Sequence, residues 1–344
     1  MPPPPKPGVI PLAPLKLGDI LGGAFSTMGR HWKQLLGVGA AAYGGTLVVV
    51  AIAAVVAYSA AGDPLHRILA LSADEDPASS DLVPVLIGLG AVWLIGTLTF
   101  LIATAVVYAA VPAVLQEAVL GRPTTFSEVW RRAWSRVPSL IGTVILMGLI
   151  MMVPVVLLMV GFFALVIGAI TLSDGSGAML WTLFAFLGAL AVAPVSVWLW
   201  VKFSLAPSVA VIEGQGPVMS LRRSSHLVRG DWWRVFGIGL LAFLMAGLAS
   251  YVIQIPFTFL GVFSGVIGGA GLDDDPNPAA IVLAMSGYVV IMALGQLVGQ
   301  FIATAFPQLV TGLLYIDRRM RTENLGPVLA EAAATPPDHG PYGP

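Results

Sequence analysis

The sequence predicts an all-α polytopic membrane protein with six transmembrane helices. Of its 344 residues, 57% are hydrophobic and only 10% are charged, whereas soluble domains carry about 25% charged residues. Several long runs hold no charged side chain, and each exceeds the about 20 residues that a spanning helix needs. These runs are 35–61, 82–116, 137–173, 175–201, 235–272 and 276–316.

The distribution of basic residues predicts the orientation. Fifteen of the seventeen lie in four segments, which are 1–34, 116–138, 213–234 and 317–344. The loops that alternate with these segments are acidic and hold Arg67 as their one basic residue. Because basic loops stay in the cytoplasm, the sequence predicts a multi-pass protein of the plasma (inner) membrane with both termini cytoplasmic.

The predicted cytoplasmic segments have the pattern of amphipathic helices. In the second segment, apolar residues recur at helical spacing: Phe126, Val129, Trp130, Ala133, Trp134 and Val137. Thr125 and Glu128 form a capping box at the start of this predicted helix. Residues 17–28 repeat the phase, and 217–228 repeat it more weakly. Basic helices with an aromatic face lie flat in the membrane interface; packing as linker helices on the inner end of the bundle is an equal alternative.

A threefold repeat organises the chain. A single membrane domain, 15–321, is predicted to consist of units 15–121, 122–214 and 215–321, each an amphipathic interfacial helix followed by a transmembrane hairpin. The returning spans share a proline, at 112, 207 and 307, followed by Glu117, Glu213 and Asp317.

The flanking segments and the helix breaks are also predicted. Residues 1–14 are expected to form a Pro-rich, solvated cytoplasmic arm, and 322–344 a disordered cytoplasmic tail. Several runs are longer than the hydrocarbon core is thick, so their helices are expected to tilt, to extend into the headgroups or to break. Prolines offer the break points: Pro112, Pro154, Pro194, Pro207, Pro256 and Pro307.

No constellation of catalytic residues is present in the sequence. Cysteine is absent, and the four histidines are scattered along the chain. The sequence lacks an HExxH motif, a phosphate-binding loop, a GxSxG elbow and the kinase signatures. We therefore predict no catalytic residue, no metal site and no cofactor. A net charge of −1 gives no support for nucleic-acid binding.

Polar residues within the spans and basic or aromatic residues beside them are the remaining candidates. Lys202 is the one basic residue embedded in apolar sequence; it either anchors its helix by snorkelling or lies on a pathway. The other polar candidates either form interhelical hydrogen bonds or line a polar pathway: Gln254, Gln296, Gln300 and Gln308. Candidates for contact with lipid headgroups or a partner are Arg131, Arg132, Arg136, Arg222, Arg223, Arg229, Trp130, Trp134, Trp232 and Trp233.

Two stretches resemble a known group of proteins. KLGDILGGAFSTMGRHWKQLLG and SLAPSVAVIEGQGPVMSLRRSSHLVRGDWWRVFG are similar to the glycerophosphoryl diester phosphodiesterase membrane domain and to related uncharacterised actinobacterial integral membrane proteins. The resemblance covers 12–322 and implies a membrane region without the soluble phosphodiesterase barrel. It supports the fold and the membrane location, and it supplies no catalytic residue.

These observations predict a non-catalytic scaffold or accessory protein that engages membrane lipid, or another membrane or cytoplasmic protein, through its cytoplasmic helices. A transporter or lipid-translocating protein is the alternative, and a continuous polar cavity would favour it. A lipid-linked phosphodiesterase accessory or enzyme is a remote alternative that rests on the resemblance alone.

Overall fold

The structure, a computed structural model, describes residues 6–69, 71, 76–171, 176–269 and 278–334. Every regular element within these ranges is a helix. The helices are α1 (Leu17–Arg30), α2 (Trp32–Leu69), α3 (Ser79–Leu120), α4 (Phe126–Thr171), α5 (Ser176–Phe203), α6 (Ala206–Ile212), α7 (Pro217–Val228), α8 (Trp232–Gly269), α9 (Pro278–Glu323) and α10 (Leu325–Ala334).

Six helical segments of the described chain are long and apolar enough to cross a membrane. They are Trp32–Ile68, Ser79–Leu120, Phe126–Phe163, Ala191–Ile212, Trp232–Ser264 and Gly287–Glu323. The predicted all-α class and six spans are therefore confirmed, and the chain is a multi-pass helical membrane protein. The threefold repeat stays a prediction from the sequence.

Consecutive spans pack against each other, α2 with α3, α3 with α4, α4 with α5, and α8 with α9. The last turns of α3 and α9 meet α6 at one end of the bundle, together with α1, α7 and the first turns of α4. We call this the arginine-rich end. Most buried side chains of α3 and α9 lie there. Towards the opposite end, large apolar side chains such as Trp93 (72% exposed) and Phe259 (73%) face outward, as expected where lipid is the solvent.

Five of the six prolines that offered break points do not interrupt their helices. Pro112, Pro154, Pro194, Pro256 and Pro307 lie inside continuous helices. Neighbouring helices and side-chain hydroxyls in a bundle can satisfy the backbone groups that a proline frees, so such helices persist. Only at Pro207 does the helix end and restart, because α6 begins at Ala206 and places the proline in its first turn, where no amide donor is needed.

The amphipathic stretch of the second predicted unit is not a separate interfacial helix. It forms the first turns of α4, which continues without interruption from Phe126 to Thr171. Of the other two amphipathic stretches, residues 17–28 lie in α1 and 217–228 form α7, and both of these helices are separate from the spans that follow.

The prediction of a solvated arm at 1–14 is wrong for the residues that the structure describes. Val9, Ile10 and Leu12 are buried, and the Val9 amide donates a hydrogen bond to the Ala118 carbonyl at the end of α3 (3.1 Å). Prolines prevent a helix here, but they do not prevent apolar side chains from entering a core. Residues 1–5 lie outside the described ranges.

The predicted disordered tail at 322–344 is helical where it is described. Residues 322 and 323 belong to α9, and after a turn at Asn324 (φ 52°) the chain forms α10. Leu325 and Leu329 pack against the core, and Gly326 lies against the Leu12 carbonyl of the N-terminal segment. The apolar LGPVLA sequence therefore docks onto the bundle. Residues 335–344 lie outside the described ranges.

The close approach of Gly8 to α3 yields a prediction. A Cβ on Gly8 would overlap the backbone of Ala118 and Val119, whereas a Cβ on Gly18, in α1, would meet nothing within 4 Å. We expect Gly8→Ala to detach the N-terminal segment and to speed its removal by limited proteolysis. Gly18→Ala should leave proteolysis unchanged and add up to about 1 kcal/mol of helix stability. Equal cleavage of the two variants would contradict this packing.

Candidate functional site

A buried carboxylate lies at the centre of the arginine-rich end. The side chain of Asp317 is 0% exposed and accepts a hydrogen bond from the Leu15 amide (2.7 Å). Its oxygens also form salt bridges with Arg234 (2.9 Å) and Arg321 (3.0 Å). A buried ion is tolerated when its partners have good geometry and satisfy its lone pairs. These contacts join the start of α1 to α8 and α9.

A second ionic cluster surrounds Glu213, at the end of α6. The Tyr315 hydroxyl donates to Glu213 Oε1 (2.6 Å), and the Arg223 Nε donates to the same oxygen (3.2 Å). Arg223 also pairs with Glu323 at the end of α9. Burial alone would lower the pKa of the Arg223 guanidinium, but the hydrogen bonds and charges of Glu213 and Glu323 outweigh it and raise that pKa. This cluster ties α6, α7 and α9 together.

The acidic residues that follow the shared prolines have related partners. Glu117 pairs with Arg132 in the first turns of α4 (2.9 Å), and Glu213 pairs with Arg223 in α7 (3.2 Å). Asp317 bonds instead to the backbone of Leu15, immediately before α1. Each acidic residue therefore connects the end of one predicted unit to the start of another.

The connection between α7 and α8 is held by Arg318 of α9. Its guanidinium donates to the carbonyls of Leu227 (2.8 Å) and Arg229 (3.3 Å) and pairs with the Asp231 carboxylate. The same connection contains Gly230 at φ 93°, a left-handed conformation that glycine adopts readily. The turn before the tryptophan pair is therefore fixed by a nearly buried arginine.

The six arginines predicted to contact headgroups or a partner differ in whether an internal salt bridge already binds them. Arg132 and Arg223 are occupied by internal salt bridges. Arg136 is half-buried, with its guanidinium against Gly214. The other three are exposed and form no salt bridge with any described residue: Arg131, Arg222 and Arg229. Only these three are free to meet a ligand at the surface.

The apolar face at the start of α4 is divided between two environments. Val129, Ala133 and Val137 are buried in the bundle. Phe126, Trp130 and Trp134 stack on one another, with ring centroids 5.8 Å and 5.9 Å apart. Phe126 also lies against Gly37 of α2, and Trp130 is partly buried against the core. The Trp134 side chain is 53% exposed. We call this stack the aromatic ladder. The inner strip therefore packs on the bundle, as the linker interpretation predicts, and Trp134 faces away from it. The interfacial interpretation stays a prediction.

A second aromatic cluster lies at the start of α8. Trp232 stacks on Phe236 (5.2 Å), and Trp233, 78% exposed, meets Trp232 edge-on (4.8 Å). With Ala193, Pro194, Val197 and Trp198 of α5 they line an open groove of about 760 Å³. Lys202 lies beside this groove, with its Nζ 4.3 Å from the centroid of the Trp198 ring. This cation–π contact favours the anchoring interpretation of Lys202.

Gln254, Gln296 and Gln300 form hydrogen bonds between and within their helices. Gln254 of α8 donates to Gln296 of α9 (3.0 Å), which is the interhelical hydrogen bond that the sequence suggested. Gln300 donates to Thr304 within its own helix (3.3 Å). Neither these three glutamines nor Lys202 is among the described residues that line the internal cavity.

That cavity, of about 550 Å³, lies between α3, α4, α6, α8 and α9 and the last turns of α5. Its described lining is apolar except for Tyr108, Gln308, Thr311, Thr104 and Ser204. Gln308 is one of the polar candidates from the sequence, and the other four residues are not. The sequence did contain a signal for a polar face within two apolar runs. Polar residues recur there at helical spacing: Thr104 and Tyr108 in the first run, and Thr304, Gln308 and Thr311 in the second.

No metal centre is found in the described part of the chain, where no three His, Cys, Asp or Glu side chains come together. A family model described as a domain of unknown function (DUF7847) matches residues 17–315. No curated protein and no solved structure matches the chain.

The burial of Asp317 yields a prediction for stability. Asp317→Ala leaves Arg234 and the Leu15 amide without their partner in a buried position, and removal of one member of a buried pair costs about 3–5 kcal/mol. We expect a large fall in the thermal unfolding temperature in detergent. The control is Asp81→Ala, which removes the exposed salt bridge to Arg67 and should change unfolding little. Similar losses for both variants would contradict the central role of Asp317.

Proposed function

We propose that this chain, which belongs to the family described as a domain of unknown function (DUF7847), is a non-catalytic membrane protein whose arginine-rich end engages membrane lipid. In this proposal the protein resides in the plasma membrane with both termini in the cytoplasm, so that the arginine-rich end meets the anionic cytoplasmic leaflet. An accessory or scaffold role follows from the same surface, since lipid and a membrane-associated partner would meet it together.

The observation that carries the proposal is the divided face of α4. Its inner strip anchors the helix to the bundle, and Trp134 of the aromatic ladder (53% exposed) extends beyond that packing. Tryptophan at the level of the headgroups is favourable because the ring is apolar and its N–H is polar. Arg131 lies on the same turns and is exposed. Aromatic rings beside a free arginine form the usual interfacial combination.

The outer face of α7 supports the same function. Ser220, Leu221 and Leu227 are buried on its inner face, whereas Val218 and Met219 are exposed with Arg222 and Arg229. Each arginine near an anionic leaflet contributes about 1 kcal/mol. Arg131, Arg222 and Arg229 together therefore favour an anionic headgroup by about 3 kcal/mol.

The alternatives have less support. A transporter of polar solutes needs a continuous polar path, and the described lining of the internal cavity includes none of Lys202, Gln254, Gln296 and Gln300. Lipid translocation is favoured by one observation, the internal cavity, although its polar groups occupy only part of its lining. A phosphodiesterase would need grouped metal ligands, and the described residues hold none.

The lipid proposal is tested by neutralising the free arginines. We expect Arg131→Gln, Arg222→Gln and Arg229→Gln each to lower the ratio of phosphatidylglycerol to phosphatidylcholine retained on the purified protein about fivefold. Native mass spectrometry after purification from mixed vesicles measures this ratio. Arg67→Gln, which removes one positive charge far from the proposed surface, is the control. A ratio that stays constant in the triple variant would refute the proposal.

The proposed orientation is tested with single cysteines, because the natural chain has none. Ala78→Cys precedes α3 at the end opposite the arginines, and Ser135→Cys lies on the exposed face of α4. A membrane-impermeant maleimide added to intact cells should label Ala78→Cys and should label Ser135→Cys only after the cells are opened. The reverse pattern would invert the topology.

A further inference from the structure

The internal cavity has the dimensions of a site for one hydrocarbon chain. Its wall on α4 runs from Ile141 to Met151, which is about 15 Å at 1.5 Å per residue. That length is about half of the 30 Å hydrocarbon core, or one leaflet. Its volume of about 550 Å³ lies within the range of about 300–1,000 Å³ typical of small-molecule sites.

The cavity has an entrance from the lipid phase. Leu98 and Leu101 of α3, Ile145 of α4 and Phe243 of α8 line it and are also well exposed on the surface of the spans. The opposite wall is closed by buried side chains, among them Leu314 of α9. A molecule dissolved in the bilayer would therefore enter laterally and end against the protein interior.

The polar groups of the lining lie together and carry no charge. Gln308 is buried, accepts a hydrogen bond from Thr311 (3.1 Å) and lies within hydrogen-bonding reach of the Tyr108 hydroxyl. None of the described lining residues is Asp, Glu, Lys, Arg or His. A charged headgroup would therefore lack a counter-ion there and lose its hydration, whereas a hydroxyl or carbonyl group would find both donors and acceptors.

Thr104 supplies an independent observation. Thr46, Thr99 and Thr143 each donate to the carbonyl four residues earlier in their own helix, which is the usual arrangement for threonine in a span. The Thr104 Oγ1 atom is buried, makes no hydrogen bond within the described chain, and belongs to the cavity lining. A buried polar atom without a partner calls for an explanation, and a ligand that bonds to it is one.

We propose that this cavity binds an uncharged, single-chain amphiphile. Its hydrocarbon chain lies against α3 and α4, and its hydroxyl or carbonyl group is bound by Tyr108, Gln308 and Thr104. This site is separate from the arginine surface proposed above and does not depend on it, because the two share no residue.

The test uses hexadecanol as the uncharged probe. A hexadecanol analogue that carries a diazirine in its chain is photolysed with the full-length protein in detergent, and the labelled peptides are mapped by mass spectrometry. We expect labels on residues 98–108 and 141–151. Unlabelled hexadecanol should compete for them, and hexadecyl phosphate should compete at least tenfold less well.

Two glycines of α4 give a matched pair of variants. A Cβ on either Gly148 or Gly161 would meet nothing within 4 Å, but only Gly148 is among the cavity residues. Gly148→Leu should fill the cavity and reduce labelling at least tenfold, whereas Gly161→Leu should leave it unchanged. Both variants should unfold at similar temperatures. Equal labelling of the two variants would overturn the proposed site.

The polar end is tested separately from the chain-binding wall. Tyr108→Phe and Gln308→Leu should each weaken competition by hexadecanol about tenfold and leave competition by hexadecane unchanged. If hexadecyl phosphate competes as well as the alcohol, or if these variants leave the preference for the alcohol over hexadecane intact, the proposed recognition of an uncharged polar group is wrong. Because all of these variants keep the arginines, their outcome is independent of the headgroup test.

Discussion

The carboxylate of Asp317 joins parts of the chain that are far apart in sequence. It binds the backbone at Leu15 and the side chain of Arg234, so that α1, α8 and α9 meet at one buried charge. Such a charge is stable only while every partner is in place. The N-terminal segment then lies along the end of α3, and Val9 bonds to Ala118 there. The position of that segment therefore depends on an ion pair as well as on its apolar side chains.

Ion pairs hold these helices together because the bilayer supplies little driving force for helices to associate. Lipid tails are as apolar as leucine, so burial of leucine between spans is only weakly favourable, and close packing and polar contacts must specify which helices meet. The ionic contacts of Glu117, Glu213 and Asp317 all lie at the arginine-rich end, where α3, α6 and α9 are also most buried. Towards the other end, exposed side chains such as Trp93 face lipid and need no protein partner.

Hydropathy predicts the spans because it measures directly which residues lipid will accept, and the six helices follow from it. It does not distinguish a side chain that faces lipid from one that faces another helix. Ala133 and Trp134 belong to one predicted apolar face, yet the structure buries the first and leaves the second 53% exposed.

Charge has the same ambiguity at the level of single residues. Arg131 and Arg132 are neighbours in sequence and both exposed, but only Arg132 forms a salt bridge with a described residue; of Arg222 and Arg223, only Arg223 forms one. The partners in these salt bridges are Glu117 and Glu213, which only the fold brings near. Contacts of this kind are set by distance in space, and no pattern along the chain encodes them. One face of α9 connects the ionic cluster around Glu213 to the cavity. Gln308 and Thr311 line the cavity, and Tyr315, one turn after Thr311, donates to Glu213. Because Gln308 and Tyr315 are about 10 Å apart along a continuous helix, the bond that fixes Tyr315 also fixes the polar end of the cavity. The site is therefore preformed, and it would discriminate among amphiphiles by fixed geometry instead of by closing around them.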